Sequence, residues 1–361
     1  MNEIRVAIVG VGNCASALIQ GVEYYKNVQE TASVPGLMHV VFGKYHVRDI
    51  KFVAAFDVNQ NKIGRDLSEA IFAQPNSCVK FADVPPLGVK VSPSPMLDGV
   101  ASHMKQAFHV HQLEEKDLAL DNIVSVLKET QAEILVNYLP VGSKQATSFY
   151  AQAALEANCA FINCIPEFIA SNHEWDIKFQ KKGLPLAGDD IKSQLGATIL
   201  HRSLVKLCSD RGVKVEETYQ LNLGGNTDFL NMTVENRLHT KRISKTQAVT
   251  SMVEYPLPTR IGPSDYVPFL GDKKICYIFL KGRKFGNQPV NLLVKLEVED
   301  SPNSAGVVID VIRAVKIALD RKIGGALISI SSYAFKHPPI QIPDNTARQW
   351  VEDYIKGKRK R

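Results

Sequence analysis

Ile4-Arg5-Val6-Ala7-Ile8-Val9-Gly10-Val11-Gly12-Asn13-Cys14-Ala15 is the stretch that decides the fold. Six β-rich residues run into a glycine, and a helical pattern follows from Asn13 to about Tyr25. The turn between them fits G-x-G-x-x-A. Gly10 makes the tight turn, Gly12 lets the backbone approach a pyrophosphate, and the small Ala15 allows the helix to pack closely on the strand. The helix start supplies free N–H groups and a partial positive charge for phosphates. Gly10, Gly12, Asn13 and Cys14 are therefore the expected dinucleotide contacts. The motif alone is weak evidence; a strand before it and a helix after it make it specific.

The acidic partner of such a turn is expected at the end of the second strand. Lys51-Phe52-Val53-Ala54-Ala55-Phe56-Asp57 ends in a carboxylate suited to ribose hydroxyls and hostile to a 2′-phosphate, which favours NAD over NADP. Asp57 lies 42 residues beyond Ala15, where about 20 is usual, and an insert at 26–50 accounts for the distance. An exposed aspartate capping the next turn is the alternative.

Outward from this unit, strand and helix signals alternate. Asp121 is expected to cap a helix through Thr130, followed by a strand at Ile134–Tyr138. Ser143 opens a helix to about Ala157, Ala160–Asn163 is a strand, and Asp190 begins a helix to about Ser209. Such alternation implies a parallel, doubly wound α/β sheet, because parallel neighbours need a crossover helix. Residues 84–100, with four prolines, read as an irregular loop. From about residue 213 strands follow one another at Val215–Leu223, Ile275–Lys281 and Asn291–Glu299, the pattern of an antiparallel α+β region. A helix then returns at Ala305–Asp320, Ala326–Ile330 looks strand-like, and Asp344–Ile355 is a last helix.

Composition excludes several classes. The 361 residues are 45% hydrophobic and 22% charged, ordinary for a globular protein. No apolar run reaches the ~20 residues of a membrane helix, and the N-terminus lacks the features of a signal peptide; a cytoplasmic protein is expected. The net charge of +6 resides mostly in Lys356, Lys358, Arg359, Lys360 and Arg361, read as a solvated, frayed tail. No basic stripe interleaved with aromatics points to nucleic acid. The six cysteines form no C-x-x-C pair and read as small buried hydrophobes. The nine histidines, with His109 and His111 the closest pair, show no metal-binding spacing.

Four stretches are too polar and glycine-rich for core: Gly188-Asp189-Asp190-Ile191-Lys192-Ser193, Gly224-Gly225-Asn226-Thr227-Asp228, Lys241-Arg242-Ile243-Ser244-Lys245 and Asp300-Ser301-Pro302-Asn303-Ser304-Ala305-Gly306. The first sits where open α/β sheets bind ligands. Taken alone, Asp190 is more readily an N-cap, and Ser193, expected in the first helical turn, could face a phosphate. Lys241 and Lys245, four apart, share a helix face. Like charges there want an anion between them, and each lowers its neighbour's pKa toward that of a proton carrier. A solvated basic face is the plainer reading of that spacing, and Lys273, Lys274, Lys281 and Lys336 are equally ambiguous.

Together with Asn222-Leu223-Gly224-Gly225-Asn226, Ser244-Lys245-Thr246-Gln247-Ala248 and Pro35-Gly36-Leu37-Met38-His39, these stretches resemble the myo-inositol-1-phosphate synthase family, in order, over residues 4–345, and its short prokaryotic branch most. The resemblance implies a discontinuous Rossmann NAD-binding domain at 1–212 and 305–361. An α+β catalytic and tetramerisation domain at 213–304 would be inserted in it. It implies a homotetramer that takes glucose 6-phosphate, oxidises carbon 5 with NAD, closes the ring by an intramolecular aldol step and returns the hydride. By the same resemblance Lys241 and Lys336 handle the carbon 5 hydroxyl proton, while Lys245 and Lys274 hold phosphate and oxyanion. Asp190, Asp228 and Asp300 orient lysines and substrate, Asp190 also reaches the cofactor, and Ser193 and Asn226 bind substrate. Family members use a divalent or a monovalent cation, and the residues do not choose between them. Where the eukaryotic branch continues with Gly-Gln-Thr-Lys after this serine, the chain has Gln194-Leu195-Gly196-Ala197-Thr198, which leaves the further phosphate contacts open.

Two other readings compete. A sugar-phosphate dehydrogenase needs the same dinucleotide site, but the Glu-Lys-Pro turn of the glucose–fructose oxidoreductase pattern is missing from Leu139-Pro140-Val141-Gly142 and Ile165-Pro166-Glu167-Phe168. A non-catalytic NAD sensor would not need the lysines and aspartates.

Overall fold

The computed structural model describes residues 3–106, 108–110, 119–234 and 237–361, apart from the side chains of Gln106 and Pro263; His111 lies outside them. β1 (Ile4–Val9) runs into α1 (Asn13–Tyr25), and a hairpin of β2 (Val41–Phe42) and β3 (Tyr45–His46) precedes β4 (Ile50–Asp57). Then come α2 (Leu67–Ala70), β5 (Val91–Pro93), α3 (Leu120–Glu129), β6 (Ile134–Asn137), α4 (Lys144–Ala157), β7 (Ala160–Asn163), α5 (His173–Lys182) and β8 (Pro185–Ala187). The next group is α6 (Ala197–Asp210), β9 (Lys214–Gly224), α7 (Thr227–Asn231), α8 (His239–Thr250), β10 (Thr259–Tyr266), β11 (Lys273–Lys284) and β12 (Gln288–Glu299). The described chain closes with α9 (Asp300–Asp320), β13 (Gly325–Ala326), α10 (Ile328–Ala334) and α11 (Asp344–Ile355).

Seven parallel strands form the first sheet in the order β13-β8-β7-β6-β1-β4-β5. β1 lies between β4 and β6, so the order reverses beside it, the switch point of a doubly wound Rossmann-like sheet. Alternation along β1 assigns its two faces. Ile4, Val6 and Ile8 join the core under α1 and α9, while Ala7 and Val9 join the core under α3 and α4. α9 is apolar nearly all round, with Val307, Val308, Ile309, Val311, Ile312 and Val315 buried, as a helix sandwiched on both sides must be.

The second sheet, β10-β9-β11-β12, is inserted between β8 and α9. β9, β11 and β12 are antiparallel neighbours, as expected. β10 is an addition: it pairs parallel to β9, with a register shift between Ile261 and Ser264 where Gly262 and Pro263 disguise the strand pattern. α6 packs on this second sheet, with Ala197, Val205 and Cys208 in its core.

Several expected boundaries move for physical reasons. α6 begins at Ala197 and not at Asp190, because Asp190 has φ +62°, a left-handed value no helix accepts, and Gly196 takes the N-cap position. Ser193 is therefore in a loop, three residues before that cap. α9 begins at Asp300 and not at Ala305. Asp272 accepts from the N–H groups of Asp300 (3.0 Å, backbone carbonyl) and Ser301 (3.2 Å, carboxylate), and Pro302 sits in the first turn, where its missing N–H is harmless. The alternating Leu327-Ile328-Ser329-Ile330 reads as strand, yet β13 ends at Ala326, one residue short of the end of its partner β8, and Leu327 takes the N-cap position of α10. Asp121 lies inside the first turn of α3, whose N-cap is Ala119. Ser143 holds the N-cap position of α4 without capping it; Asp98 accepts from Gln145 and Ala146 N–H instead, at 2.7 and 2.9 Å. Residues 84–100, expected to be loop, contain the edge strand β5. The basic tail is tied down as well: Arg359 stacks 3.9 Å from the Trp350 ring centroid, and Lys358 N–H donates to Asp353 O at 2.8 Å. No described helix is long and apolar enough to cross a membrane.

Candidate active site

The glycine turn after β1 opens one end of a cavity of about 240 Å³, lined by Gly10, Gly12, Asn13 and Cys14 there and by Lys241, Lys245, Lys274 and Lys336 at its other end. Gly10 has φ +87°, and a Cβ on it would stand 2.6 Å from Tyr138 O. Gly12 is different: a Cβ there would meet no protein atom within 4 Å and would project into open space. No side chain caps α1. The N–H groups at the start of α1 are thus left to a ligand, and the cradle fits a dinucleotide pyrophosphate.

The side chains around the turn hold it in place. Asp57 accepts from Val11 N–H and Asn59 N–H, both at 2.8 Å, leaving a second lone pair on each oxygen. Val11 O in turn accepts from the Lys62 ammonium at 2.7 Å and from the Asn76 amide at 3.1 Å. Lys62 is buried, 3.9 Å from Asp57, and burial drives its pKa below the ordinary lysine value although Asp57 opposes the shift. Asn13 turns its amide oxygen to the N–H groups of Ser77 and Cys78, at 2.8 and 3.2 Å. Burial, reinforced by Asp300, Asp272 and Asp228, pushes the Cys14 thiol up to about 12 and keeps it neutral.

At the far end, segments distant in sequence converge. The Lys336 ammonium donates to Asp190 Oδ1 at 2.7 Å, and Ser244 Oγ donates to Asp190 Oδ2 at 2.6 Å. Lys241 donates to Asp228 at 2.7 Å, and Lys274 donates to Asp300 at 3.3 Å. Burial would raise the Asp228 carboxyl; the Lys241 ammonium beside it overrides this and holds it below its ordinary range. Burial would lower Lys274, and its pairing with Asp300 reverses the effect. Three lysines thus each have a carboxylate.

Lys245 has none among the described residues. It is buried on α8, and one turn away on the same face is Lys241. Burial first, then the charges of Lys241, Lys274 and Lys336, drive its pKa well below that of a free lysine. An unpaired ammonium in such a place awaits an anion. The uncapped N-terminus of α6 lies in the same cavity, with Thr198 and Ser193 beside it.

All the expected site residues line this cavity: Asp57, Asp190, Ser193, Asn226, Asp228 and Asp300 besides the glycines, Asn13, Cys14 and the lysines. One of them also has a place in the loop itself. Asn226 caps α7 through Asp228 N–H (3.1 Å), and its amide donates to Asp272 at 3.0 Å, so it orders the loop as much as it faces substrate. Lys192, inside the Asp-Asp-x-Lys-Ser motif, points away, buried against Ser332 O (2.9 Å) and Asp344 (3.0 Å); burial brings it to about 8. Sequence reasoning missed Lys62, Asp272, Tyr138 and Thr198. None stands out by spacing, although Thr198 follows directly from the stretch whose phosphate contacts were open. Among the described residues no group of three or more His, Cys, Asp or Glu could hold a metal ion.

A doubly wound sheet with a glycine turn at its switch point, sharing one cavity with four lysines and three carboxylates, defines a nucleotide-dependent enzyme of an anionic substrate. A family model described as myo-inositol-1-phosphate synthase matches residues 196–301, which bracket α6 and the second sheet. The inositol-3-phosphate synthase of Mycolicibacterium smegmatis is 55% identical over 362 residues, 98% of this chain and 98% of its own. That of Mycobacterium tuberculosis is 56% identical over 358 residues, 98% of this chain and 96% of its own. A myo-inositol-1-phosphate synthase-related protein from Thermotoga maritima shares the fold, with a TM-score of 0.80 at 24% identity, covering 98% of each chain. The chain belongs to the myo-inositol-1-phosphate synthase family.

Proposed function

We propose that the chain is an inositol-3-phosphate synthase, an NAD-dependent isomerase that converts glucose 6-phosphate to 1L-myo-inositol 1-phosphate. The observation that carries this is Lys245: a buried ammonium with no ion-pair partner among the described residues, in the cavity that it shares with three paired lysines and the dinucleotide turn. Bound NAD supplies a hydride acceptor that gives its hydride back, so the whole reaction is redox-neutral.

The chain's own residues account for the rest. Lys336 and Lys241, each steadied by a carboxylate, take and return the carbon 5 hydroxyl proton. Lys245 and Lys274 face the substrate phosphate and the oxyanions that develop during enolisation and ring closure, where fixed positive charge in a dry site is most effective. Ser193, Thr198 and the α6 N–H groups complete the phosphate seat in place of the eukaryotic Gly-Gln-Thr-Lys. Asp190, Asp228 and Asp300 aim the lysines; Asp300 keeps Lys274 charged, while Lys241 and Lys336 take the proton as neutral amines and return it as ammonium groups. Asp57 takes the adenosine ribose with its free lone pairs. The Rossmann domain at 1–212 and 305–361 carries the dinucleotide end, and the inserted catalytic and tetramerisation domain at 213–304 carries Lys241, Lys245 and Lys274, with α6 packed against its sheet.

We also propose a cytoplasmic homotetramer. The outer face of the second sheet carries Tyr219, Leu221, Tyr277, Phe279 and Leu293, with Leu293 68% exposed, and β12 is an open edge. A second copy would cover such a face. Sedimentation at several concentrations tests it, and a monomer at micromolar protein would end the proposal.

The test of function is phosphorus NMR of glucose 6-phosphate incubated with enzyme and catalytic NAD, with no other redox partner. Inositol 1-phosphate appearing without net NADH is the expected result. NADH rising in step with sugar consumed would instead make the chain a dehydrogenase.

A further inference from the structure

Ser193 and Gly196 are the two ends of the turn that leads into α6, and the turn is folded tightly. A Cβ on Gly196 would stand 2.8 Å from Ser193 Cβ and 3.1 Å from its Oγ. The Ser193 side chain is therefore held beside the uncapped start of α6, in the cavity that the buried Lys245 also lines. Between these ends, Gln194 and Leu195 are exposed and are held from outside the turn.

Asn303 does most of the holding. Leu195 N–H donates to Asn303 Oδ1 at 3.1 Å, and Asn303 Nδ2 donates back to Leu195 O at 2.8 Å. Gln194 N–H donates to Asn303 O at 2.8 Å. A side-chain amide bonded to both the N–H and the C=O of one residue fixes its position and its rotation. The Gln194 amide reaches the other way and donates to Gly36 O in the insert before β2. A Cβ on Gly306 would strike that same carbonyl, so insert, turn and α9 are in close contact. Asn303 lies in the first turn of α9, which also brings Asp300 to Lys274 and Ser304 to the cavity wall.

We infer that Asn303 is a positioning residue for the substrate phosphate: it holds Gln194-Leu195 so that the Ser193 hydroxyl and the α6 N–H groups converge on one anion. The inference rests on the phosphate seat proposed above. Donors aimed at shared oxygens lose much of their effect when displaced by about 1 Å, so a brace behind them acts on binding without touching the ligand.

Asn303→Ala removes both side-chain bonds to Leu195 and leaves the backbone bond from Gln194. The test is steady-state turnover of glucose 6-phosphate at saturating NAD, with the Kd for NAD from calorimetry, in wild type, Asn303→Ala, Ser193→Ala and the double variant. Expected in Asn303→Ala are a KM raised about fivefold to tenfold, kcat within about twofold of wild type and an unchanged Kd for NAD. Ser193→Ala should cost less in the Asn303→Ala background than in wild type, because the serine is already displaced. Gln194→Met cuts the bond to Gly36 and keeps the length of an exposed side chain; it should raise KM in the same direction by less, and it carries the test if Asn303→Ala does not fold. An unchanged KM in the folded variants would overturn the inference. So would KM and the Kd for NAD rising together, which marks general loosening, or additive effects of Ser193→Ala and Asn303→Ala. Wild-type protein that leaves glucose 6-phosphate unchanged would overturn the isomerase reading itself, a different result from any of these.

Discussion

The two ends of the cavity attract negative charge by different means. At the dinucleotide end the donors are backbone: the uncapped start of α1 and a turn left bare by Gly12. One contiguous segment supplies them, and the side chains of Asp57 and Lys62 brace it. At the other end the charge is carried by side chains from α8, β11, the loop after β8 and the turn after α10. A diphosphate that stays bound through a catalytic cycle suits fixed dipoles. A substrate whose oxygens gain and lose protons suits lysines, whose charge can change.

The largest expected effect tests the lysine end. Lys245→Ala should lower kcat about 10²–10³-fold, the range for losing one oxyanion partner, with NAD affinity unchanged by calorimetry. Near-normal turnover would remove Lys245 from the chemistry. The next tests the backbone end. Gly12→Ala should weaken NAD on the order of tenfold by occupying the pyrophosphate space, while the ligand-free melting temperature holds, since a Cβ there meets nothing within 4 Å. A cooperative loss of fold would show that Gly12 serves packing instead.

The smallest effect separates two buried lysines. Lys192 is paired with Asp344, which is about a quarter exposed, so Lys192→Met should destabilise the protein by about 1–3 kcal/mol, less than for a fully buried pair. Lys245→Met should stabilise it, because an unpaired buried ammonium is removed. Lys245 has its folded-state pKa below the unfolded 10.5, so between those two values the unfolded chain holds more protons. Stability therefore rises with pH across that window and falls as pH drops through the folded value. Denaturant melts of wild type and Lys245→Met should show a shallower pH slope in the variant; equal slopes would mean that Lys245 is not perturbed in the folded protein.

Much of the dinucleotide end was legible in the chain. A strand, a glycine turn and a helix are local, and each leaves a periodic or compositional mark, as Ile4–Ala15 and Lys51–Asp57 do. The lysine end was legible only as motifs. Spacing put Lys241 and Lys245 on one helix face, but it left them indistinguishable from Lys192, which points the other way. The carboxylates of Lys241 and Lys336 lie 13 and 146 residues away, and no local rule connects such positions. The same limit explains the elements that were misread. Asp190 resembles a helix cap until the loop forces it to φ +62°, and Ile328–Ile330 alternates like a strand until Leu327 takes the N-cap position of α10.

By itself, then, the sequence determined the doubly wound sheet, the dinucleotide turn and the membership of Lys241, Lys274, Lys336, Asp190, Asp228 and Asp300 in polar segments, because these follow from local geometry and side-chain type. Only the tertiary structure decided which lysine has a carboxylate and which has none. Pairing depends on distances between segments, and the pKa of a buried amine depends on every charge and dipole packed around it.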